Sequence, residues 1–139
     1  MCYIAQFVGT DWLTNEHINI LMEMLQCDLI ATGLDKVKVI TETTGFMTKL
    51  QQAYDHSEHY GDGRQEHCWL ERIGQSLVNG SYHHLAFIAN VRQNHWVACV
   101  VDPAEDAIWH GDSLGGAIDS EAWIEVVDIY SFWQGVCHP

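Results

Sequence analysis

Two short apolar runs, Trp96 to Asp102 and Ala107 to His110, are separated only by Pro103-Ala104-Glu105-Asp106. Runs rich in β-branched and aromatic residues on either side of a turn tetrapeptide read as two strands of a hairpin. A third run, Leu85 to Val91, precedes them, and the three together predict an antiparallel meander. The hairpin has a chemical consequence. Asn94-His95 opens one strand and Gly111-Asp112 closes the next, and antiparallel strands return to the same edge of a sheet. An imidazole and a carboxylate far apart in the chain are therefore expected to meet.

Upstream of Gly80 the periodicity is helical. From Thr14, the residues Ile18, Leu21, Met22, Leu25 and Leu29 recur at the spacing of one helix face, with Thr14 placed to cap the first amides and Gly33 to end the helix. A weaker helical stretch covers about Thr44 to Tyr54. Another, Glu66 to Asn79, sets Leu70, Ile73 and Leu77 on one face before Gly80. Asp55 to Arg64 reads as a polar loop between them. Beyond the strands, Ser120 is placed to cap a last helix in which Trp123, Val127 and Tyr130 share a face, running to about Trp133. The expected fold class is α+β, with helices packed on a mainly antiparallel sheet. No internal repeat breaks the chain, and 139 residues at 47% hydrophobic composition suffice for one core, so residues 1–139 read as a single domain.

Charge narrows the function. With 19 acidic against 6 basic residues the formal charge is −13, which repels phosphate backbones and argues against a nucleic-acid partner. Neither a basic-then-apolar leader nor an apolar run near the roughly 20 residues of a bilayer span is present, so no membrane partner is expected. The expected location is intracellular, nuclear or cytoplasmic. The five cysteines, Cys2, Cys27, Cys68, Cys99 and Cys137, are odd in number and widely spaced, unlike a disulfide scaffold. Cys27 and Cys99 read as core fillers.

The hairpin pair suggests a division of labour. A carboxylate at Asp112 would hold the imidazole of His95 in one tautomer and stabilise its imidazolium, as the acid of a Cys-His-Asp triad does. On spacing alone the same two residues could equally cap backbone groups at a strand start and a turn. The words around them decide more. Asn94-His95-Trp96-Val97-Ala98-Cys99-Val100-Val101-Asp102, followed by Gly111-Asp112-Ser113-Leu114-Gly115, resembles the His and Asp motifs of the ubiquitin-like-protein proteases, the SUMO-deconjugating and adenovirus-protease-like cysteine peptidases. Asp11-Trp12-Leu13-Thr14-Asn15-Glu16-His17-Ile18-Asn19 resembles the family's Trp-Leu segment that leads into a first helix through Ile-Asn. The resemblance runs from residue 11 to about 115, and Gly33 to Ser81 carries no matching motif.

The resemblance implies a papain-like cysteine-protease fold with His95 as general base and Asp112 as its orienting acid. Trp12 and Trp96 fall where the family's aromatic residues flank a narrow channel for the Gly-Gly tail of a ubiquitin-like protein. Indole faces that close together admit only residues without a Cβ, so specificity follows from exclusion. Alternatively, Trp12 is a hydrophobic staple before a helix and Trp96 a core strand residue. The implied partner is a ubiquitin-like protein or its conjugates, and no cofactor is implied.

The departure from the family lies at the C-terminus. There a Gln precedes an Asp-Cys-Gly that opens a helix, whereas this chain offers Gln134-Gly135-Val136-Cys137-His138-Pro139. The Gln-to-Cys spacing is short, and nothing follows to form the helix whose N-terminus would lower the thiol pKa. The expectation is a catalytic domain incomplete at its C-terminus, with the nucleophile segment missing. Two classes stay open: a cysteine peptidase of ubiquitin-like conjugates, and a catalytically dead module that keeps the tryptophan-lined groove. His56, His59, His67 and Cys68 could supply zinc ligands, but their spacing is not that of a common finger and a histidine-rich polar loop explains them as well. No metal is expected.

Overall fold

Helix α1 (Asn15–Ala31) starts and stops where its residues dictate. Thr14 is the N-cap, in extended conformation, and His17 at the third helical position completes a capping box with it. Leu13, before the cap, and Ile18 pack into one hydrophobic cluster, a hydrophobic staple at the helix entry, while Trp12, for which the sequence also allowed that role, lies outside the described residues. At the other end Gly33 adopts φ +79°, its N–H donating to the Ile30 carbonyl at 3.1 Å and that of Leu34 to the Leu29 carbonyl at 2.8 Å. This paired closure needs a left-handed residue, which glycine adopts without a Cβ penalty. The buried face is narrower than the periodicity suggests: Ile18 and Met22 are buried, while Leu21 and Leu25 each stay 41% exposed.

The computed structural model describes residues 13–56, 67–91 and 95–112, together with Asp128 and Ser131. After α1 come β1 (Val37–Val39), α2 (Thr43–Asp55), α3 (Cys68–Val78), β2 (His84–Val91), β3 (His95–Asp102) and β4 (Ala107–Asp112). The expected meander is present: β2 pairs antiparallel with β3, and β3 with β4. The expected order of helices before strands needs correction, because β1 lies between α1 and α2 and pairs parallel with β2, Val37 opposite His84. Three residues are too few to display a period of two. The four strands lie in the order β1-β2-β3-β4. On β1, Val39 donates its N–H to the Gln26 Oε1 at 3.0 Å, so a side-chain amide from α1 stands where a neighbouring strand would pair.

Strand alternation sends side chains to both faces of this sheet. Leu85, Phe87, Ala89, Val97, Cys99 and Val101 meet Phe46, Leu50 and Ala53 of α2 and Leu70 and Ile73 of α3. At the centre the Phe46 ring lies 5.3 Å from that of Phe87 and edge-on to Trp69 at 5.8 Å. The other face carries Ala86, Ile88, Trp96 and Val100 against Ile18 and Met22 of α1. The α+β expectation therefore holds, with helices on both faces. Cys99 is buried as expected, but Cys27 is exposed, since it faces away from the sheet on α1. The helix expected over 120–133 lies outside the described residues except for Asp128 and Ser131, both helical and exposed. Among the described residues no helix is long and apolar enough to cross a membrane.

Candidate active site

The β3–β4 connection is built by its own residues. The Asp102 carboxylate accepts the backbone N–H groups of Ala104 at 3.1 Å and Glu105 at 3.2 Å, folding the turn back on itself. Asp106 completes the reversal at φ +50°, a conformation that Asp tolerates better than most residues. This turn sets the register Asp102 opposite Ala107, which runs on to Val97 opposite Asp112. The register decides the site. His95 is two residues from Val97 and therefore points to the same face, diagonal to Asp112.

The His95 Nε2 lies 2.9 Å from the Asp112 Oδ1. Their side chains are 24% and 10% exposed, so the pair is sheltered yet reachable from solvent. An ionised carboxylate only accepts, so Nε2 carries the proton and donates it to Oδ1. The neutral imidazole then keeps its lone pair on Nδ1, the nitrogen that faces away from the carboxylate. The arrangement can take a proton at Nδ1 and stabilise the resulting imidazolium against Asp112.

Trp96 follows His95 and points to the opposite face of the sheet. Its ring is half-buried against the α1 cluster, and its indole N–H donates to the Leu13 carbonyl at 3.3 Å. Of the two tryptophans singled out in the sequence, Trp96 is thus bonded to the residue that follows Trp12, while Trp12 itself lies outside the described residues. Cys137 lies outside them too. Among the described thiols, Cys99 shares the His95 face, but burial pushes its pKa up to about 12, so it is protonated at neutral pH and cannot serve as the nucleophile. Cys27 is exposed on α1, across the sheet from the dyad. Of the histidine-rich stretch, His56 and His67 are described and His59 is not; among the described residues no three potential ligands converge as a metal site would require.

Residues 11–130 match the model of the Ulp1 protease family, C-terminal catalytic domain. The chain belongs to the Ulp1 protease family. The match spans both dyad residues and both tryptophans, and the fold is that of a papain-like cysteine protease, α+β with a mostly antiparallel sheet. Comparison with curated proteins and with solved structures finds no match. The Ulp1 family acts on ubiquitin-like protein conjugates, which makes this a hydrolase domain of the thiol-protease class. One feature of this Ulp1-family chain escaped the sequence reading. His17 bonds Thr14 in the capping box, and the signal for it was the three-residue spacing from a Thr, with His where Glu or Gln is usual.

Proposed function

We propose that the His95–Asp112 dyad is the base–acid half of a cysteine-peptidase site that hydrolyses the bond after the C-terminal Gly-Gly of a ubiquitin-like protein. The single observation carrying this reading is the 2.9 Å bond from the His95 Nε2 to Asp112, which leaves Nδ1 free to act as base. His95 draws the proton from a cysteine thiol, and the thiolate attacks the glycine carbonyl to form a thioester while the leaving amine takes a proton from His95. Water, deprotonated by the same Nδ1, then releases the acid. Trp96 and Trp12 line the channel for the tail, where only residues without a Cβ pass. The nucleophile is a thiol other than Cys99, and Cys137 is the first to interrogate. A dead binding module, which keeps the channel without the thiol, is the competing reading.

The test is reaction of the purified chain with a ubiquitin-like protein carrying a C-terminal thiol-reactive group, followed by intact mass and mapping of the labelled cysteine. An adduct at one cysteine that disappears in His95→Ala supports the peptidase. Binding without an adduct, weakened by Trp96→Ala, selects the dead module. Neither adduct nor binding sinks both readings.

A further inference from the structure

Trp96 is held by more than its place in β3. Its indole N–H donates to the Leu13 carbonyl, and Leu13 precedes the helix, where backbone direction is not set by helical hydrogen bonds. What sets it is the capping box. The backbone N–H of Thr14 donates to the His17 Nδ1 at 3.0 Å, and the Thr14 Oγ1 lies 2.8 Å from the same nitrogen. A nitrogen that accepts an amide N–H carries a lone pair, so in the second contact only the hydroxyl can donate, and its single proton is shared between that nitrogen and the Glu16 carboxylate, whose pKa the Thr14 hydrogen bond lowers. One ring nitrogen thus gathers both the backbone and the side chain of Thr14. The imidazole is only 1% exposed, so its orientation is fixed by packing rather than left to solvent. The peptide group being clamped joins the Leu13 carbonyl directly to the Thr14 N–H: planarity makes the orientation of one the orientation of the other.

We infer that His17 and Thr14 are positioning residues for Trp96: by clamping the Leu13–Thr14 peptide they aim its carbonyl at the indole and set the ring for a glycine-only tail. The assignment of the tail rests on the function proposed above; the clamp itself does not. A Glu or Gln at this position would reach the same amide on a flexible stem, whereas a buried imidazole does so as a rigid plate.

The experiment is nitrogen-15 NMR of the tryptophan indole N–H signals, with Trp96 assigned by Trp96→Phe, in His17→Ala, His17→Gln and Thr14→Val, alongside titration with a Gly-Gly-tailed ubiquitin-like protein. In His17→Ala the Trp96 signal is expected to move and to lose protection from exchange, while amides of Phe87 and Val97 on the opposite face keep theirs. Binding of the tailed protein weakens roughly three- to ten-fold, the size of one lost hydrogen bond. His17→Gln, which restores an acceptor for the Thr14 amide, brings both back toward wild type, a rescue that a merely space-filling histidine would not show. Should His17→Ala not fold, Thr14→Val keeps the amide contact, removes the hydroxyl donor and is expected to move the indole signal in the same direction. An unchanged Trp96 signal in folded His17→Ala, or in Thr14→Val, overturns the clamp, and so does failure of His17→Gln to restore it. A signal that responds as expected in a chain that binds no tail leaves the clamp standing and overturns the reading of the channel.

Discussion

At the level of single residues the proposed chemistry turns on the 2.9 Å contact between the His95 Nε2 and Asp112, from which the tautomer of the ring follows. A carboxylate at Nε2 assigns the base to Nδ1, and exchanging that carboxylate for an amide removes the charge that stabilises the imidazolium and replaces an acceptor-only group by one whose NH2 can turn toward the ring. Asp112→Asn is therefore expected to weaken the preference for the Nε2–H tautomer, read from the ring nitrogen shifts of His95. Any thiol-dependent turnover should drop on the order of 100- to 10,000-fold. A wild-type ring protonated at Nδ1 would contradict the assignment. Cys99 makes the opposite case, a group whose environment removes it from chemistry. With its pKa raised to about 12 by burial, it contributes stability that is complete below the unfolded thiol pKa of roughly 8.5 and is lost as pH rises toward 12. Timed alkylation at pH 8 should label exposed Cys27 at least roughly 100-fold faster than Cys99, because the buried thiol reacts only through opening of the fold. Comparable rates at the two would show that the core around Val97 and Val101 is not closed.

At the scale of elements, what distinguishes this chain is how short pieces are secured. β1 has three residues, too few to stand alone, and it survives by pairing with β2 on one side and receiving the Gln26 side chain from α1. Gln26→Ala leaves the Val39 N–H without that acceptor, and the expected cost is about 1–2 kcal/mol, measured as a lowered urea midpoint. An unchanged midpoint would mean that water replaces the amide at no cost. The helix ends follow the same logic, since Leu13 and Ile18 staple the entry of α1 while Gly33 closes its exit. The β3–β4 turn does likewise: Asp102 folds it, and the register that it sets carries Asp112 to the diagonal of His95.

For the whole molecule, the sheet places the His95–Asp112 pair and Trp96 on opposite faces. The face with His95 and Asp112 is backed by α2 and α3, and the face with Trp96 is backed by α1. Phe46 lies fully buried where α2 and α3 meet the sheet. Phe46→Ala should remove about 3–5 kcal/mol, a large share of the stability of a domain this size, and should lower the thermal midpoint of the whole fold in one transition. Loss of α2 and α3 alone, with strand amides still protected, would show that the two layers unfold separately. The sequence by itself determined the three strands of the meander, the three described helices, the caps at Thr14 and Gly33, and the meeting of His95 with Asp112. Each of these rests on local periodicity, turn chemistry or the two-residue alternation of paired strands, and those are written along the chain. Only the tertiary structure decided that β1 exists, that Gln26 guards it, that Leu21, Leu25 and Cys27 face outward, and that Trp96 and His17 converge on the segment around Leu13. Those outcomes depend on contacts between residues distant in sequence, whose geometry is set by how α1 lies across the sheet, and no pattern within one segment encodes that placement.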